Sequence, residues 1–153
     1  MRYLIAITLF AIVNHSTGAE PYPAKVVHVW DGDSIVVATK SGSHQIRIFG
    51  IDAPEKGQPF GREAKRYLER LLTDQNVTIE PLEQDRYQRT IANVKLQRES
   101  VANLLIERGN AWVFRRYTSS KSLIEREEKA RQQRRGLWKN SNPTPPWLWR
   151  KKE

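Results

Sequence analysis

The chain has 153 residues, with 26 Lys plus Arg against 17 Asp plus Glu, a formal net charge of +9, 39% hydrophobic residues and no cysteine. Such a length and composition suit one globular domain and exclude a disordered polymer or a polytopic membrane protein, while the basic excess points to a polyanionic partner, nucleic acid before an anionic membrane surface. Without cysteine there are no disulfides or thiolate metal sites, and with histidine only at His15, His28 and His44 any metal chemistry must use oxygen ligands.

Met1-Arg2 precedes the apolar run Tyr3–Val13, and the polar stretch Asn14–Ala19 follows. A basic start, a short apolar run and small residues before a break are the parts of a secretory signal peptide, with cleavage expected after Ala19. The apolar run is about half the ~20 residues that a permanent anchor needs, so no stable membrane anchor is expected. The expectation is an exported protein, periplasmic or extracellular, whose mature chain divides into a domain at 20–139 and a Pro/Trp-rich basic tail at 140–153.

Lys25–Trp30 is β-branched and apolar, Asp31-Gly32 signals a turn, and Ser34–Ala38 reads as the returning strand of a hairpin. His44–Ile51 alternates, with Ile46 and Ile48 on one face and Arg47 and Phe49 on the other. The period then changes: Ala64, Tyr67, Leu68, Leu71 and Leu72 form one face of a helix starting near Phe60. Asn76–Glu80 and Thr90–Leu96 are two further strands, joined by a polar link over 82–89. Ser100 caps a short helix that ends at Gly109, and a highly charged third helix runs from about Ser122 to Gly136. The tail from Asn140 is too rich in proline for regular helix, and Trp147 and Trp149 are expected to cover the barrel with Lys151 and Lys152 in solvent. The predicted fold is α+β, mainly β: a five-stranded Greek-key barrel of the oligonucleotide/oligosaccharide-binding (OB) type with about three helices.

Acidic residues are outnumbered, so their positions matter. Asp31-Gly32-Asp33 stands at one strand end and Asp52-Ala53-Pro54-Glu55 follows another. Asp-Gly and Asp-x-Pro are also common turn formers. If the first and third strands are neighbours, Asp33 and Asp52 converge and offer hard oxygens to Ca²⁺ or Mg²⁺, joined by a backbone carbonyl and waters. Arg47, in the middle of an apolar strand, and Arg89, at the end of Asp85-Arg86-Tyr87-Gln88-Arg89, are forks of the kind that clasp two phosphate oxygens. A Ser–His–Asp hydrolase is excluded, because His28 and His44 lie inside strands and flank no nucleophile elbow.

Asp31-Gly32-Asp33-Ser34, Arg47 to Glu55, Pro59-Phe60-Gly61 and Asp85 to Arg89 stand in an order that resembles the staphylococcal-nuclease-like (thermonuclease, micrococcal nuclease) family. Gly109 to Val113 and Gly136-Leu137-Trp138 extend the resemblance over about residues 25–139. It implies an OB-type barrel that hydrolyses phosphodiester bonds of DNA and RNA with Ca²⁺ and leaves 3′-phosphate ends. By position, Asp33, Asp52 and the carbonyl of Ala53 look like the metal ligands. Glu55 looks like the general base, and Arg47 and Arg89 like the phosphate clamp. Tyr87, Arg115 and Tyr117 fall at substrate-binding positions, with Arg115 where the best-known member has a nucleotide-contacting tyrosine. Ser34 replaces the usual Thr, and Gln88 stands where Gly is usual. The protein is expected to act as a monomer. The alternative is an OB-type nucleic-acid-binding protein without activity, although a pure binder has no chemical need for three carboxylates that repel phosphate.

Overall fold

The computed structural model describes residues 19–152, so the expected signal segment lies outside the described residues except for Ala19. β1 (Tyr22–Val29), β2 (Ser34–Thr39) and β3 (Gly42–Ile48) form an antiparallel meander. β5 (Asn76–Gln84) lies antiparallel to β1 and to β6 (Thr90–Leu96), and β6 runs parallel to β3, pairing Ile46 with Thr90 and Ile48 with Ala92. The ring β3-β2-β1-β5-β6 thereby closes on itself as the expected five-stranded OB-type barrel. Two short strands, β4 (Ile51–Asp52) and β8 (Trp112–Val113), pair outside the ring, and β7 (Glu99–Ser100) turns back to pair antiparallel with the end of β6.

Two bulges shape the barrel. Val26 and Val29 are both buried although three residues apart, which strict alternation forbids. A register shift between Val26 and His28 resolves this and leaves Val27 outside. In β5 the shift falls between Pro81 and Glu83, so the strand passes a residue that cannot donate to the ladder and continues to Gln84. The expected strand end at Glu80 is corrected by that bulge.

α1 (Gly61–Leu72) buries Ala64, Leu68 and Leu72 against the barrel, on the face read from the sequence. α2 (Val101–Glu107) is capped by Ser100, whose Oγ accepts from Asn103 N at 3.4 Å, and buries Val101, Ala102, Leu105 and Ile106. α3 (Lys121–Gln132) packs on α2 and is capped by Ser120, slightly earlier than expected. A 3₁₀ turn at Gly136–Lys139 leads to α4 (Pro146–Trp149), a single helical turn where none was expected. Proline is tolerated there because Pro146 occupies the first helical position, where an N–H would have no intrahelical partner. The barrel interior is filled by Val26, Ile35, Val37, Ile46, Ile48, Ile79 and Val94, with a second cluster of Trp112, Ala130, Leu137 and Trp138 beneath Trp147. Among the described residues no helix is long and apolar enough to cross a membrane.

Candidate active site

The acidic strand ends do converge, but not through β1 and β3, which are separated by β2. Asp33 immediately precedes β2, whose Ser34 pairs with Arg47 of β3, and the Asp33 carbonyl accepts from Ile48 N at 2.9 Å. Asp31 Oδ1 accepts from Asp33 N at 3.0 Å, an Asx turn that fixes the entry to β2. Gly32 is required here: a Cβ would lie 2.6 Å from Ala53 Cβ. Asp52 is placed by β4, where it pairs with Trp112 of β8. Ala53 N then donates to Asp33 Oδ2 at 2.6 Å, tying the two acidic segments together.

Arg47 joins the carboxylates. Its Nη2 lies 3.1 Å from both Asp33 Oδ2 and Asp52 Oδ1, while Nη1 donates to the Ile48 carbonyl at 2.8 Å. Asp33 and Asp52 are buried, at 5% and 2% exposure, and this burial is the largest influence on both, holding each carboxyl above its ordinary value. Arg47 opposes the shift at Asp33, and at Asp52 hydrogen bonds from Arg150 oppose it while the Asp33 charge adds to it.

Glu55 is half-buried at the start of a tight loop into α1. Its N–H donates to Gln58 Oε1 at 3.0 Å, and its carbonyl accepts from Gln58 N at 3.0 Å. Gly61 can start α1 against this loop only because it lacks a side chain, since a Cβ would fall 1.9 Å from the Glu55 carbonyl oxygen. This contact supplies a physical reason for the Pro59-Phe60-Gly61 motif.

Arg89 is delivered by a loop built on Asp85. Asp85 Oδ1 accepts from Tyr87 N at 2.9 Å and from Arg89 N at 3.0 Å, and Oδ2 accepts from Arg89 Nε at 2.8 Å. Burial raises the Asp85 carboxyl, but the hydrogen bonds from Arg89 and Tyr87 outweigh it and hold the group below its ordinary value. Gln88 adopts φ 62°, the left-handed conformation for which glycine is suited. The guanidinium groups of Arg86 and Arg89 lie 4.8 and 5.6 Å from the exposed Tyr87 ring.

These groups line one cleft of about 780 Å³ that holds Asp33, Arg47, Asp52, Ala53, Glu55, Tyr87, Arg89 and Tyr117 together. Arg115 lies outside it, in a neighbouring cavity, with its Nη2 3.1 Å from Glu127 Oε2; Arg116 lines the cleft instead. Arg150, at the end of α4, is the cleft residue that sequence reasoning missed. Its Nη2 donates to Asp52 Oδ2 at 2.8 Å, and its Nη1 to Asp52 Oδ1 at 3.3 Å and to Glu55 Oε1. The hydrogen bonds to Asp52, with those to Glu55, raise its already high pKa further. The sequence showed only a basic run after two tryptophans, with no spacing that ties it to residues about a hundred positions away.

Among the described residues no group of three or more His, Cys, Asp or Glu forms a ready metal cage. Asp33 and Asp52 nevertheless offer buried carboxylate oxygens with no nitrogen or sulfur ligand beside them, a donor set that fits a hard cation completing its shell with carbonyl and water.

A family model described as staphylococcal nuclease homologue matches residues 45–140. The chain is 36% identical over 151 residues to a protein named uncharacterized endonuclease from Escherichia coli O157:H7, covering 98% of each chain. A protein of the same name from Haemophilus influenzae is 34% identical over 151 residues, covering 98% of this chain and 85% of that one. A micrococcal nuclease from Shigella flexneri is 34% identical over 158 residues, covering 96% and 90% respectively. With the barrel, the acidic cleft and a family match over most of its length, the chain belongs to the staphylococcal nuclease homologue family and is a nuclease.

Proposed function

We propose that the protein is an exported, Ca²⁺-dependent nuclease that cuts phosphodiester bonds of both DNA and RNA and acts as a monomer. The observation that carries this reading is the single cleft in which Asp33, Asp52 and Glu55 face Arg47 and Arg89. Three carboxylates repel a phosphate unless a cation intervenes, whereas two arginines attract it. Their combination suits a hydrolase better than a passive binder.

Asp33, Asp52 and the carbonyl of Ala53 are the residues that hold Ca²⁺ in this reading. When bound, the cation adds positive charge beside the phosphate and lowers the cost of the developing oxyanion. Arg47 and Arg89 present guanidinium forks to the non-bridging oxygens and stabilise the same charge. Glu55 takes a proton from the attacking water as its oxygen bonds to phosphorus. The bond to the 5′-oxygen breaks, that oxygen takes up a proton, and the product keeps a 3′-phosphate. Tyr87 and Tyr117, both exposed on the cleft wall, offer stacking faces for the flanking nucleotide.

Glu55→Gln keeps size and removes the base, so kcat should fall by about 10²–10⁴ with the urea midpoint unchanged. Arg47→Lys keeps the charge and loses the fork, and should cost about 10²–10³ in kcat. A folded Glu55→Gln protein that cleaves DNA at the wild-type rate removes Glu55 as the base. End-labelled products that lack 3′-phosphate contradict the assigned direction of cleavage.

A further inference from the structure

The C-terminal segment is built as a strap whose tip reaches the catalytic carboxylates. Beyond the 3₁₀ turn at Gly136–Lys139 it is fixed at two places. Gln58 Nε2 donates to the Thr144 carbonyl at 2.6 Å, joining the strap to the loop that carries Glu55. Trp147 stacks on Phe114 with centroids 5.6 Å apart and planes 9° from parallel, and meets Trp112 edge-on at 5.7 Å. The single turn of α4 then presents Arg150 to Asp52 and Glu55 through the hydrogen bonds given above. The oxygens that Arg150 holds are those assigned to the metal and to the proton of the attacking water. One guanidinium thus covers two functions.

A guanidinium spread across both oxygens of Asp52 competes with a divalent cation for them, whereas Arg47 meets only Oδ1 of that carboxylate. Both are positive, and both of the Asp52 oxygens already accept from Arg150. Glu55 likewise accepts from Arg150 through Oε1, so that oxygen is not open to the attacking water while the strap is in place. Arg150 is still 42% exposed and follows a single helical turn that contributes no residue to the barrel core, so it can leave without disturbing that core. We propose that the strap is an intramolecular plug: Arg150 and a divalent cation are alternative partners of Asp52, Glu55 is held by Arg150 while the strap is closed, and the enzyme becomes active when the cation displaces the strap. This inference rests on the reading of Asp52 as a metal ligand.

For such a plug, the apparent cation affinity is reduced by the fraction of molecules whose strap is open. Calorimetric titration of Ca²⁺ into the substrate-free protein measures this directly. Arg150→Ala should bind Ca²⁺ at least about tenfold more tightly than wild type, as expected if fewer than about one molecule in ten is open. Lys151→Ala removes the same charge from the adjacent exposed residue without touching the carboxylates, and should change affinity less than about twofold. Trp147→Ala keeps Arg150 but loosens its anchor, and should also tighten Ca²⁺ binding. In the wild type, Ca²⁺ should speed hydrogen exchange at the amides of 148–152, which now donate to the carbonyls of Pro145, Pro146, Leu148 and Trp149. Equal or weaker Ca²⁺ binding by a folded Arg150→Ala protein, with wild type binding normally, overturns the plug and leaves the metal site standing. No Ca²⁺ binding by either protein overturns both.

Discussion

Glu127 is 1% exposed, although it lies on the most highly charged helix of the molecule. Its Oε1 accepts from Val113 N at 2.8 Å, and its Oε2 lies 3.1 Å from Arg115 and 3.2 Å from Arg131. Val113 belongs to β8, which pairs with β4 and so with Asp52, and this buried carboxylate thereby supports one wall of the cleft. Glu127→Ala leaves the Val113 N–H without its acceptor and should cost about 1–3 kcal/mol, read from urea denaturation. Glu127→Gln retains an acceptor and should lose less. The alternation of Glu125, Glu127 and Glu128 with arginines reads in sequence as a solvated face. Yet Leu123, Glu127 and Ala130 are spaced i, i+4, i+7, and all three are buried. Leu123 and Ala130 were legible as the apolar side of the helix; the burial of Glu127 between them was not, because its backbone donor, Val113 N, comes from a distant strand. Asp33, Arg47, Asp52, Glu55 and Arg89 were legible for a different reason. Each lies in or beside a short motif that also makes the turn or strand delivering it, so local geometry and chemistry share the same residues. Arg150 has no such local signature, because its place is set by Trp147 packing on Phe114.

The elements around the cleft differ in how their order is maintained. The Asp85–Arg89 loop depends on one carboxylate that accepts three hydrogen bonds, while its fourth residue, Gln88, sits at φ 62°. A left-handed non-glycine residue costs roughly 1–2 kcal/mol, part of which a glycine returns as chain entropy on unfolding. Gln88→Gly should therefore stabilise the protein by up to about 1 kcal/mol, seen as a higher urea midpoint. Because the folded Asp85 pKa lies below its unfolded value, the loop's contribution to stability is complete above the ordinary carboxylate range. It disappears as pH falls through the lowered pKa. The protection of the Tyr87 and Arg89 amides, taken relative to the intrinsic exchange rate at each pH, should fall over that acid window, and in an Asp85→Asn variant its pH dependence should vanish. At this scale the sequence supplied the periods of the strands and of α1 but not the two bulges, since a bulge is a response to closure of the barrel. The strand read as ending at Glu80; Pro81 instead pairs with Ala92, and the bulge after it carries the strand on to Gln84.

At the scale of the whole molecule, a closed barrel holds a compact acidic site inside a strongly basic protein. The formal charge of +9 draws polyanions from a distance, whereas only Arg47 and Arg89 are assigned to the reacting phosphate. Binding of a duplex oligonucleotide by the Glu55→Gln protein should weaken log-linearly with salt, with a slope of roughly −2 to −4 if about two to four phosphates are neutralised. The barrel itself was legible because β-branched runs, turn signals and one change of period follow one another in chain order. Its closure through parallel β3 and β6 was not, since residues 46–48 and 90–92 meet only in three dimensions. The proposed activity depends on a cation entering this acidic cleft and enabling hydrolysis. Incubation of the protein with plasmid DNA and with RNA, in Ca²⁺ and in chelator, tests it most directly. Cleavage of both polymers in Ca²⁺ and of neither in chelator is the predicted result; equal cleavage in chelator, or binding without cleavage in Ca²⁺, would contradict it.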